Sequence, residues 1–171
     1  MDTGSRTDKL TLLRLIVRAA LSVAFSMGAG GASLGDISGT PRVVDGDTIV
    51  IGEERVRLQG IDAPEQRQSC LENDLEWACG VAATAALKNM IADRVVDCKG
   101  SERDRYGRLI GVCFAAGQNL NEDMVRDGWA LAYRRYSIDY LRAEGDAQRN
   151  LRGIWRGEFI RPWVWRTKNR R

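Results

Sequence analysis

Three short β-type runs crowd one stretch of this chain, at residues 40–44, 48–51 and 55–58, and nothing constrains the fold more. Asp45-Gly46 separates the first two and Gly52-Glu53 the next two. An Asp-Gly pair between apolar runs is a strong tight-hairpin signal. Strands this brief and this closely spaced predict a meander that curls into a barrel rather than an α/β sheet.

Pro64 ends that block, and a polar loop carrying a cysteine follows over residues 66–76. Residues 80–90 (GVAATAALKNM) are alanine-rich with apolar residues at helical spacing, which predicts a helix. Residues 94–98 and 109–114 read as two more strands, joined by the charged loop GSERDRYGR. Asn121 suits the N-cap of a short helix over 122–127 that Gly128 would close. A third helix is predicted over 137–149, with Ile138, Leu141 and Tyr140 turned inward. The order βββαββαα belongs to an α+β, mainly β fold: a five-stranded OB-type barrel with about three helices packed on it. A chain of 171 residues has room for one such domain. We place it at 40–156, between a linker at 33–39 and a Trp/Arg-rich extension at 157–171.

The first 32 residues read as a leader. Lys9, Arg14 and Arg18 precede an apolar run over 19–32 that is too short to span a bilayer comfortably. Small residues Gly30 and Ala32 suit cleavage after Ala32. The expectation is an exported protein, periplasmic or secreted; the alternative is a membrane anchor made by the uncleaved leader. The exported part holds all four cysteines, Cys70, Cys79, Cys98 and Cys113. An even number in an oxidising compartment favours two disulfides, with three possible connectivities. Spacing favours Cys70–Cys79 as a local loop and Cys98–Cys113 as a cross-strand link, provided those strands are neighbours. A zinc site made of all four cysteines is disfavoured, because no two of them are separated by only two residues.

The chain contains no histidine. That excludes Ser-His-Asp hydrolysis, His-ligated zinc and any imidazole base. The net charge of +3 is too slight to argue for a polyanion partner by itself, so such a site must come from local placement of arginines. Asp45 and Asp47 flank the first hairpin, and Asp62 and Glu65 follow the third strand. If the hairpin and that strand end converge, the carboxylates make a hard-cation site; taken alone, Asp-Gly-Asp is also ordinary turn chemistry. Arg57 lies on the same strand face as Arg55, opposite Val56 and Leu58, and Arg108 closes the loop at 104–108. Phosphodiester hydrolysis uses these parts together: a cation to neutralise phosphate, a carboxylate to position water, and arginine forks to stabilise the equatorial oxygens.

Four segments in order, VVDGDTIVI, RVRLQGIDAPE, DRYGR and LNEDMVRDGWA, closely resemble the staphylococcal nuclease family. The resemblance implies calcium-dependent cleavage of DNA and RNA with little sequence preference, leaving 3′-phosphate ends. It implies Asp47, Asp62 and the backbone carbonyl of Ala63 as calcium ligands, with Asp45 beside the ion. Ala63 stands where the best-known member has threonine, but a backbone ligand survives that change. Glu65 matches the glutamate that positions or activates the attacking water. Arg57 and Arg108 match the arginines on the scissile phosphate. Arg105 and Tyr106 match contacts to the terminal phosphate, and Tyr133 a tyrosine lining the base pocket. The alternative is a catalytically inactive OB-fold module that binds nucleic acid or protein. Trp155, Trp163 and Trp165 among the terminal arginines either grip a polyanion or plug the lower core. A monomer is expected.

Overall fold

The computed structural model describes Met1 and residues 35–169, so the expected leader falls almost wholly outside the described residues. The described chain opens with a strand bent in the middle: β1 (Ile37–Gly39) and β2 (Pro41–Asp45) are separated only by Thr40. β2 pairs antiparallel with β3 (Thr48–Ile51), and β3 with β4 (Glu54–Leu58), as the two turn signals predict. After β5 (Ile61–Asp62), the short hairpin of β6 (Cys70–Glu72) and β7 (Leu75–Trp77) leads into α1 (Cys79–Ile91). β8 (Val96–Arg103) and β9 (Leu109–Ala115) are antiparallel, and β9 runs parallel to β4 with Ile110 opposite Arg57. β8 pairs with β1, so the ladder β2–β3–β4–β9–β8–β1 returns to the same bent strand. The five predicted strands are β2, β3, β4, β8 and β9, and the linker expected at 33–39 instead supplies β1, which closes this circuit of pairings.

Alternation along the strands decides what faces inward. Val56 and Leu58 are buried while Arg55 is exposed, and Leu109, Gly111, Cys113 and Ala115 are the buried residues of β9. The core joins Ile49, Val56, Leu58 and Val96 to Ala83 and Leu87 of α1. β10 (Gln118–Asn119) leads into α2 (Leu120–Arg126), which adds Leu120, Met124 and Val125 to that core. Both favoured disulfides are present, and Cys98 and Cys113 are direct cross-strand partners.

Three local expectations are corrected. Asn119, not Asn121, caps α2, its side chain accepting from the Glu122 amide at 3.2 Å. The helix expected over 137–149 starts later, as α3 (Leu141–Arg149), after β11 (Leu131–Ala132). The Ser137 hydroxyl accepts from the Asp139 amide and donates to its carboxylate, and such a local turn competes with helix. Tyr140 is buried as expected, but Ile138 is 70% exposed. The loop at 66–76 holds most of the β6–β7 hairpin. Beyond a 3-10 turn at Gly153–Arg156, the extension forms α4 (Pro162–Lys168). Trp155 and Trp163 pack with Phe159 against Leu131, Ile154 and the Cys70–Cys79 bridge. Among the described residues no helix is long and apolar enough to cross a membrane.

Candidate functional site

The β2–β3 hairpin and the end of the meander do converge. The Asp45 carboxylate accepts from the Asp47 amide at 3.1 Å, shaping the turn. Gly46 lets that turn press inward, because a Cβ there would stand 2.7 Å from the Ala63 Cβ. The Ala63 amide, just beyond β5, donates to Asp47 Oδ2 at 2.8 Å. Arg57 projects from β4 between two carboxylates: Nη1 pairs with Asp47, and Nη2 donates to Asp62 Oδ1 at 2.7 Å. Its strand face is therefore not a merely solvated one.

Both aspartates are buried, and burial governs their chemistry. Desolvation pushes Asp47 up to about 6, against the pull of Arg57. Asp62 is also raised by burial, although the Arg166 and Arg57 guanidiniums pull it down. Arg57 is desolvated too, yet the neighbouring Asp47 and Asp62 charges hold its proton more firmly than usual.

Glu65 stands on a loop fixed by backbone contacts. Its carbonyl accepts from the Gln68 amide at 2.7 Å, and its own amide donates to Gln68 Oε1 at 3.3 Å. The buried Gln68 also donates to the Ile160 carbonyl at 2.5 Å, tying this loop to the C-terminal segment. Gly80 at the start of α1 approaches so closely that a Cβ would lie 1.8 Å from the Glu65 oxygen. The Glu65 carboxylate meets Arg166 of α4, whose Nη1 donates to it at 2.7 Å. Sequence reasoning missed Gln68 and Arg166. The only signal for either was the density of arginines and tryptophans near the terminus.

The remaining predicted residues form two other groups. Asp104 builds the turn at 104–108, accepting from the amides of Tyr106 and Arg108 at 2.9 and 3.0 Å. Its carboxylate is paired with the Arg108 guanidinium at 2.6 Å. Arg108 immediately precedes β9, two residues before the Ile110 that is paired with Arg57 across the parallel ladder. Arg105 and Arg108 lie over the exposed Tyr106 ring, 4.8 and 5.6 Å from its centroid. Tyr133 sits elsewhere, stacked on Trp163 at 5.3 Å beside a cleft of about 280 Å3 that Arg134, Arg135 and Arg161 also line.

The donor chemistry fits a hard divalent cation. Asp47 and Asp62 offer carboxylate oxygens close enough together for one guanidinium to bridge them, which is an all-oxygen donor set. Among the described residues no group of three or more His, Cys, Asp or Glu is gathered for a metal, so a cation held by these two aspartates would need backbone oxygen and water as its further ligands.

Buried carboxylates bridged by arginines on a curled, mainly β fold are parts that a phosphodiester hydrolase can use, and the comparisons place the chain in that class. The sequence model described as "Staphylococcal nuclease homologue" matches residues 55–157. The chain belongs to that family. It is 38% identical to the succinoglycan biosynthesis protein ExoI of Rhizobium meliloti, over 83% of this chain and 74% of that protein. It is 36% identical to an uncharacterized endonuclease of Escherichia coli O157:H7, over 74% and 82%. With a micrococcal nuclease of Shigella flexneri it shares 35% identity, over 75% and 79%.

Proposed function

We propose that this protein is an exported, calcium-dependent nuclease that hydrolyses phosphodiester bonds of DNA and RNA with little sequence preference. The observation that carries this reading is the convergence of Arg57 on Asp47 and Asp62, with Glu65 one arginine away. Export rests on the leader's pattern of basic residues before an apolar run, and two disulfides suit an oxidising compartment.

In this reading Asp47, Asp62 and the Ala63 carbonyl would hold the cation, and Asp45 would add negative charge beside it. When bound, calcium supplies neutralising charge against the substrate phosphate. Glu65 holds the attacking water and accepts its proton; a carboxylate is a weak base, so positioning supplies most of the effect. The water oxygen bonds to phosphorus, the bond to the 5′ oxygen breaks, and that oxygen takes its proton from solvent, leaving a 3′-phosphate. Arg57 and Arg108 place planar forks on the phosphate oxygens and stabilise the charge that develops there. Arg105 and Tyr106 contact a terminal phosphate, and Tyr133 borders the base.

The test is digestion of plasmid, single-stranded DNA and RNA by the chain from Ser33, with calcium, with magnesium and with chelator. Cutting of all three substrates in calcium that stops with chelator is the expected result. Pure protein that binds nucleic acid but cuts it in no metal would contradict the proposal and favour the inactive-module reading.

A further inference from the structure

Arg166 lies outside the span matched by the family, on a helix assigned to no site, yet it makes three hydrogen bonds to two site carboxylates. Nη1 donates to Asp62 Oδ1 at 2.9 Å and to Glu65 Oε1 at 2.7 Å, and Nη2 to Asp62 Oδ2 at 2.8 Å. Both Asp62 oxygens are thus taken by guanidinium groups, since Oδ1 also accepts from Arg57. A divalent cation that uses Asp62 competes with these arginines, because like charges on one buried carboxylate repel. Both arginines bridge two carboxylates, but Arg57 is rooted in a core strand and 16% exposed, whereas Arg166 sits on α4 and is 31% exposed. Arg166 is therefore the one that yields.

We propose that Arg166 competes with a divalent cation for the carboxylate site, so that loading with the cation expels it and loosens the C-terminal turn of α4. The other end of α4 has its own anchors: Pro162 is buried, Trp163 stacks on Tyr133, and the Ile160 carbonyl is held by Gln68. Those contacts do not involve the carboxylates, so the helix pivots rather than detaches. The same step frees Glu65 from its guanidinium partner. One residue thus latches both the proposed metal ligand Asp62 and the proposed water-positioning Glu65. This inference rests on Asp47 and Asp62 being the cation site, as proposed above.

The experiment is calorimetric titration of calcium alone into the chain from Ser33, as wild type, Arg166→Gln and Arg166→Lys. Hydrogen exchange of residues 162–169 in the wild type, with and without calcium, runs alongside. We expect Arg166→Gln to bind calcium roughly tenfold more tightly, with Arg166→Lys between the two. Exchange at 166–169 should rise in the wild type when calcium is added. Equal affinity in wild type and Arg166→Gln, or protection of α4 by calcium, would overturn the latch and leave the cation site standing. Heat of binding in none of the three proteins would overturn the cation site, and the latch with it.

Discussion

Asn121 shows how one side chain can hold several elements at once. It is fully buried; its oxygen accepts from the Cys113 amide at 3.0 Å, and its amide donates to the Gln59 and Gly111 carbonyls at 2.9 and 3.1 Å. Asn121→Ala leaves the buried Cys113 amide and Gln59 carbonyl without their side-chain partner, while the Gly111 carbonyl keeps the Gln59 amide at 2.8 Å, so a loss of about 2–3 kcal/mol is expected in urea unfolding at neutral pH. A loss under about 1 kcal/mol would mean that water replaces the side chain. Its sequence reading as an N-cap failed for a physical reason: asparagine suits caps and buried bridges equally, and Asn119, two positions earlier, has the free side-chain carbonyl at the helix start. The site residues divide similarly. The convergence of Asp47, Arg57 and Asp62 was legible because one short meander brings them together, while the roles expected of them and of Asp45 and Glu65 came from the family resemblance. Arg166 reaches Glu65 across a separation of 101 residues, which no local pattern encodes.

At the level of elements, α1 and the Glu65 loop are positioned by a missing side chain. Gly80→Ala must drive the helix start off the Glu65 carbonyl, so cleavage should fall by at least about tenfold if a displacement of about 1 Å misplaces the carboxylate. Unchanged turnover in a folded Gly80→Ala protein would show that this loop does not position Glu65. The Cys98–Cys113 bridge makes a separate contribution. Replacing both cysteines by serine should cost about 3 kcal/mol, because the bridge closes a loop of 15 residues. Unfolding midpoints with and without the bridge would check it. The strands flanking tight turns were legible because turn chemistry is local. β1 was not: it carries no alternation strong enough to mark it, and it becomes a strand only because β8 offers an unpaired edge. The β6–β7 hairpin was hidden for the same reason, since Asn73 and Asp74 form its turn at positive φ with no glycine to announce it.

Across the whole molecule, the circuit of pairings through the bent first strand holds the hairpin carboxylates, the arginine of β4 and the start of β9 in one relation. Closure of this kind requires long-range pairing, so the sequence announced the barrel class through its short strands but not how the ends meet. The C-terminal segment then packs its tryptophans on the lower cluster and brings a further arginine to the site. The central claim is that these carboxylates and arginines perform hydrolysis rather than merely hold the barrel together. Single-turnover cleavage of one DNA substrate in calcium by wild type, Glu65→Gln and Arg57→Ala, each shown to be folded, with calcium binding measured alongside, tests it most directly. We predict that the rate falls by about 100-fold or more in each variant while calcium binding survives in Glu65→Gln. Folded variants that cut DNA at the wild-type rate would contradict the claim and place the chemistry elsewhere.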